Sequence, residues 1–238
     1  MAESLRAIPT ELTAVPAAIL CVSAHWEEPA FTVQSHPHPP MLYDYGGFPE
    51  HTYRVTYPAP GSPPLARQVR DLLAGSGMPA AEDPQRGFDH GAFVPLAVAW
   101  PQADVPVVQL SLHDSLDPAL HLAAGRALAP LRAEGVLILG SGFSFHNLRL
   151  MFSEEAREPS RRFDEWLNAT MLAPPAQRSA RLADWASAPS ARVAHPREEH
   201  LLPAMVAVGA AEEEPAVRTY GEDLFGTVRV SSFRFGEP

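Results

Sequence analysis

Two histidines stand where an α/β sheet delivers chemistry. His25 follows the apolar run Ala17 to Val22, within Ser23-Ala24-His25-Trp26. His146 follows the apolar run Val136 to Leu139 and the breaker Gly140-Ser141-Gly142. Short apolar runs bounded by glycine or turn residues read as buried strands, and open α/β sheets hold ligands just beyond the carboxyl ends of their strands. Two more histidines suit such a site: His90 in the glycine-flanked Gly87-Phe88-Asp89-His90-Gly91, and His200 in Glu198-Glu199-His200-Leu201-Leu202-Pro203. Imidazole nitrogen ligates first-row metals such as ferrous iron and zinc. A neutral imidazole near pH 7 also accepts a proton. No pair has the close spacing of an HExxH motif. Asp44 and Asp89 sit beside aromatic and glycine residues, where they either orient ligating imidazoles or shape turns. His36, His38, His51, His113 and His121 read as structural, and His195 as a helix cap or a ligand.

Competing chemistries find little support. The chain has neither a GxSxG elbow nor a GxxxxGK[ST] phosphate loop. Cys21, the one cysteine, lies inside an expected strand, where it makes a poor nucleophile and no internal disulfide. That fits a reducing cytoplasm. A net charge of -10 argues against a nucleic-acid partner, and no apolar run approaches the roughly 20 residues of a membrane span. The 238 residues, 46% of them hydrophobic, suffice for one large domain with a sizeable core.

The elements that would position these side chains follow from patterning. A first strand is expected over about 17–23. A long proline- and glycine-rich connection follows over 27–60, and its tyrosines favour an ordered active-site loop. Ser62 caps a helix over 65–74 that Gly75 closes. A short apolar helix leads to Trp100, a buried strand spans 105–112, and a helix runs from Asp117 to about Ala133. Helix is expected over 155–187 and again over 195–211, with Pro196 in the first turn of the latter and His200 projecting from it. The alternating tail makes one or two antiparallel strands. This order gives a single α/β domain over residues 1–238, with a mixed, mostly parallel sheet flanked by helices.

Together these segments resemble class III extradiol ring-cleavage dioxygenases of the LigB superfamily, in the DOPA 4,5-dioxygenase-like branch. The resemblance rests on SAHW (23–26), YDYGGFP (43–49), YPAPGSP (57–63), GFDHG (87–91), PVVQLSL (106–112), GSGFSFHNLR (140–149) and EEHLLP (198–203), in the family's order. It implies a non-haem ferrous ion, with zinc as the alternative, a catechol-type substrate and dioxygen. It also implies His25 and His200 as metal ligands, His146 as a further ligand or the acid/base, and His90 as a supporting or substrate-contacting residue; His146 and His90 are the expected catalytic groups, and Tyr43, Asp44 and Asp89 are expected on the substrate side. The family opens on a GHGSP motif whose histidine is a third ligand, and upstream of SAHW there is no room for it. The expectation is therefore a chain short of one ligand and one strand, through a misplaced start, a real truncation, or replacement of the ligand by His36 or His38. An open sheet edge would favour instability or strand exchange, so a homo-oligomer is one expectation. Tyr43 also stands where relatives often carry histidine. The rival readings are a catalytically impaired binding protein on the same scaffold, comparable to the Memo-type branch, and a zinc-dependent hydrolase, since zinc at an open site activates water.

Overall fold

A computed structural model describes residues 1–211 and 213–236. The elements in order are α1 (Ala2–Ala7), β1 (Ala18–Glu28), β2 (Phe31–Gln34), α2 (Pro63–Gly75), β3 (Ala80–Asp83), α3 (His90–Ala99), β4 (Val107–His113), α4 (Pro118–Leu128), α5 (Pro130–Ala133), β5 (Val136–Ser141), α6 (Arg157–Met171), α7 (Pro175–Ala183), α8 (Ala191–Ala194), α9 (Leu202–Ala211), β6 (Ala216–Leu224) and β7 (Val228–Phe235). The main sheet has the order β3-β2-β4-β1-β5. β1 pairs in parallel with β4 and β5, while β2 meets β4 antiparallel. The expected mixed, mostly parallel sheet is present. Among the described residues β5 is hydrogen-bonded on one side only, to β1.

Helices cover both faces, because the central strands are apolar in both directions. On β1, Leu20 and Val22 join one core with Val69 and Leu73 of α2, Leu122 and Leu128 of α4, and Met205 of α9. The alternate residues Ile19 and Cys21 join a second core with Phe93 and Leu96 of α3. Each such side chain, fully buried, contributes about 1.5–3 kcal/mol. Tight helix-to-helix approach is built in at Gly209, where an added Cβ would lie 3.0 Å from the Cα of Gly125.

Several sequence expectations need correction. The connection over 27–60 is not structureless, since β1 runs on to Glu28 and β2 follows. β2 escapes patterning because four residues give too short an alternation, as does β3. Helix over 155–187 is broken at Pro174-Pro175, and that over 117–133 at Pro130. The helix expected over 195–211 begins only at Leu202. Pro203 has no N–H, and its ring would clash with the Glu199 carbonyl of a continuous helix. Glu199 and His200 therefore stand in the turn ahead of α9.

β6 and β7 form a separate hairpin. Its turn places Phe225 and Gly226 at φ 54° and 73°, the backbone of a tight hairpin turn. The hairpin is anchored to α6 by Asp164, which accepts from Ser231 and pairs with Arg218 at 3.1 Å.

Candidate active site

His25 belongs to an irregular stretch of β1. Pairing with β4 is regular to Val22 and resumes only at Glu27. Irregularities of this kind re-aim side chains at sheet ends. α3 approaches closely because Gly91 has no side chain: a Cβ there would lie 2.5 Å from Ser23 Oγ and 2.8 Å from His25 Cδ2. His90 is the first residue of α3, so its ring comes to His25, with centroids 3.8 Å apart and planes inclined by 44°.

Asp89 caps α3, accepting from the Ala92 N–H at 3.2 Å. It is fully buried and also accepts from Ser23 Oγ at 2.7 Å, from the Gln109 amide and from Arg86 at 3.1 Å. Sealed from solvent, it supports the site from beneath, which corrects its expected substrate-side role. Asp44 does reach the site. Its Oδ1 accepts the His90 backbone N–H at 3.0 Å and lies 2.7 Å from His90 Nδ1. Its Oδ2 lies 4.0 Å from His25 Nδ1. Burial pushes the Asp44 carboxyl up, and the hydrogen bonds from His90 outweigh it, holding the group below its ordinary value.

The opposite wall comes from the β5–α6 loop and the turn before α9. The His146 N–H donates to the Ala194 carbonyl at 2.9 Å, and its Nδ1 lies 3.1 Å from Glu199 Oε1. Glu199 Oε2 is buried without a hydrogen-bond partner. Burial raises the Glu199 carboxyl, but the His146 contact brings it below its usual value. The His146 ring stacks on His200, centroids 3.4 Å apart and planes 22° from parallel. His200 Nδ1 accepts the Phe143 N–H at 3.3 Å. Burial first, then the neighbouring imidazoles, push His200 down to about 2. Burial and His90 likewise lower His25. Both rings therefore stay neutral at physiological pH.

His25 and His200 close the row, with centroids 4.9 Å apart. The result is a line of four imidazoles, His90–His25–His200–His146, with Asp44 at one end and Glu199 at the other. The structure thus unites the four histidines singled out in the sequence. Two groups have ligand atoms within 4.8 Å of one another: His25, Asp44 and His90, and His146, Glu199 and His200. Each is two imidazoles and a carboxylate, a donor set that fits non-haem ferrous iron.

Other expectations fall away. His36 Nδ1 accepts the His38 N–H at 2.9 Å, and neither residue joins a ligand group among the described residues. His195 likewise joins no such group among the described residues. It is fully buried between Phe163 and Trp185, with Nε2 3.1 Å from the Ser144 carbonyl. Burial pushes the Cys21 thiol far up, so it supplies no nucleophile. Tyr43 donates to the Val55 carbonyl at 2.9 Å and packs edge-on against Tyr45, Tyr53 and Phe93. Two aromatics meet the site rings: Tyr45, edge-on to His90 at 5.5 Å, and Phe143, 6.2 Å from His200. Sequence reasoning placed Tyr45 in an ordered loop without assigning it that contact, and read Glu199 only as a helix-end acid. The motifs carrying both were in hand, but their partners lie far along the chain.

Imidazoles and carboxylates gathered at the carboxyl ends of parallel strands define a metalloenzyme-type centre on an α/β sheet. A family model described as the catalytic LigB subunit of aromatic ring-opening dioxygenase matches residues 2–233, and the chain belongs to that family. A dioxygenase of Hapsidospora irregularis is 40% identical over 89% of this chain and 69% of its own length. A protein of Beta vulgaris named 4,5-DOPA dioxygenase extradiol is 43% identical over 83% of this chain and 74% of its own. Among solved structures, an uncharacterised protein of Escherichia coli K12 superposes with a TM-score of 0.84 at 31% identity, covering 99% of this chain and 92% of that one. The protein is thus an aromatic ring-opening dioxygenase by family. Among the described residues no helix is long and apolar enough to cross a membrane.

Proposed function

We propose that this protein is a non-haem, ferrous-dependent extradiol dioxygenase acting on a catechol-type, DOPA-like substrate. The observation that carries it is the row of four imidazoles ending in two carboxylates. The ring carbon–carbon bond beside the diol breaks, and both atoms of dioxygen enter the product, a muconic semialdehyde. No outside reductant is needed. Bound iron supplies a single point where catechol and dioxygen meet. Of the ligands the resemblance implies (His25, His146 and His200), His25 and His200 are the two inner members of the row. His146 is the proposed proton acceptor: with its Nδ1–H directed at Glu199, its Nε2 keeps the lone pair for a catechol hydroxyl. His90 is the second proposed catalytic group, held by Asp44 at the aromatic side of the cleft. The DOPA-like substrate class is supported by relatives bearing that name.

The test is oxygen consumption by the chain reconstituted anaerobically with ferrous ion, against a panel of catechols including DOPA. One oxygen should disappear per semialdehyde formed. His146→Ala should reduce turnover by about 100-fold or more. Wild-type turnover in that variant, or no uptake by folded, iron-loaded protein on any catechol, would overturn the reading.

A further inference from the structure

The two walls of the cleft come from distant parts of the chain, and one side chain spans them. β1 pairs with β5 only as far as Ser23, and its pairing with β4 lapses after Val22 and resumes at Glu27, opposite Leu112. His25 lies in the stretch between, and Glu27 is the first residue beyond it that the sheet holds again. On the other wall, Glu199 and His200 stand in a turn over 196–201, outside any helix or strand. Arg197 belongs to that turn and reaches Glu27 across 170 residues. Its Nη1 and Nη2 donate to Oε1 and Oε2 of Glu27, both at 2.5 Å. Two parallel bonds between a planar guanidinium and a carboxylate fix orientation as well as distance.

The same guanidinium faces the carboxylate that holds His146. Its Nη1 lies 4.0 Å from Glu199 Oε2, the buried oxygen that accepts no hydrogen bond. Glu199 Oε1 meets His146 Nδ1 at 3.1 Å. Glu199 is thus held between the imidazole and Arg197. Fold stability does not account for the clamp. The Arg197 side chain is 52% exposed, and exposed ion pairs contribute little to stability. The other ion pair of this turn, Arg192 with Glu198 at 2.7 Å, joins residues only six apart and does not cross the cleft.

We propose that Arg197 is a positioning residue for ring opening: clamped to Glu27, it sets the spacing of the two walls and the place of Glu199, and through Glu199 the place of the His146 ring. This rests on the ring-opening reading above and adds to it a part that touches no reacting atom.

The clamp is tested on the full 238-residue chain with Arg197→Met, Glu27→Gln and the double variant. Arg162→Met, which breaks an exposed pair with Glu158 on α6, is the control. The first readout is hydrogen exchange of the metal-free protein, followed by mass spectrometry. Each single variant should speed exchange by about tenfold in peptides covering 24–28 and 196–201, and leave α2 and α4 as in the wild type. The second is oxygen uptake by ferrous-loaded protein on a catechol that the wild type turns over. A displacement of about 1 Å costs about 100-fold in rate, and a wall freed at one point moves less, so kcat should fall by about tenfold with KM within about twofold of wild type. The double variant should lose no more than either single one, because the same clamp is broken once. Arg197→Lys keeps the charge without the fork and should recover part of kcat. Unchanged exchange in both segments, losses that multiply in the double variant, or an equal kcat loss in Arg162→Met overturns the proposal. So does a Tm more than about 5 °C below wild type in Arg197→Met, which would make the pair structural. No oxygen uptake by the wild type would sink the ring-opening reading instead, and the exchange measurement would still decide whether Arg197 holds the walls.

Discussion

The carboxyl end of β5 meets the turn carrying Glu199 and His200 through two glycines, and Gly142→Ala probes that contact. A Cβ at Gly142 would lie 3.1 Å from the His200 carbonyl carbon and 3.3 Å from its Cα, and closer still to its oxygen. An ordinary carbon–oxygen contact is about 3.3–3.6 Å, so the backbone at His200 has to retreat by about 1 Å. The obstacle is backbone, not the end of a flexible side chain, and nearby Gly140 is as constrained, its Cβ falling 2.5 Å from the Pro203 carbonyl oxygen. Overpacking of this kind costs about 1–3 kcal/mol. Misplacement by 1 Å near a reacting centre costs about 100-fold in rate. His200 stacks on His146 and touches His25, so the shift propagates to both. Gly142→Ala should therefore lower kcat/KM for ring opening by about 100-fold and lower Tm by several degrees. Gly75→Ala, where a Cβ meets nothing within 4 Å, is the control: it should leave kcat/KM unchanged and should not lower Tm. Gly142→Ala with wild-type kcat/KM and Tm would refute the claim that this contact sets the position of His200.

Two buried histidines outside the site make the fold sensitive to acid. Burial pushes His121 and His195 down to about 4 from an ordinary 6.5. The unfolded chain binds these protons first, so stability is full above about pH 6.5 and falls as pH drops toward 4, by about 2 kcal/mol for each residue at pH 5. Urea unfolding at pH 7 and pH 5 measures it, and equal stabilities at the two would contradict it. At the hairpin, Asp164→Ala would leave Arg218 and Arg229 facing each other without their shared carboxylate. A loss of about 3 kcal/mol is expected; a shift below about 1 kcal/mol in urea titration would show that the arginines simply turn to solvent.

Strand ends were legible in the sequence wherever chemistry is local. The apolar runs at 17–22 and 136–139 were legible as strands, though β5 is only half-buried beyond Val136. The prolines were legible too, though their consequence was underweighted: Pro203 moves the start of α9 and leaves Glu199 and His200 in a turn. β2 and β3 were not legible, because four residues carry too little periodicity to separate strand from loop.

By itself the sequence singled out the four histidines that the fold brings into one row. The types and flanks of His25, His90, His146 and His200 mark them out, because glycines and strand ends are local signals. Only the tertiary structure decided how they are partnered. Asp44 meets His90 across 46 residues and Glu199 meets His146 across 53. Asp89, which looks equivalent to Asp44 in sequence, is sealed beneath the sheet end. Those pairings depend on ring orientation and on ångström-scale approach between distant elements, and periodicity carries no information about either.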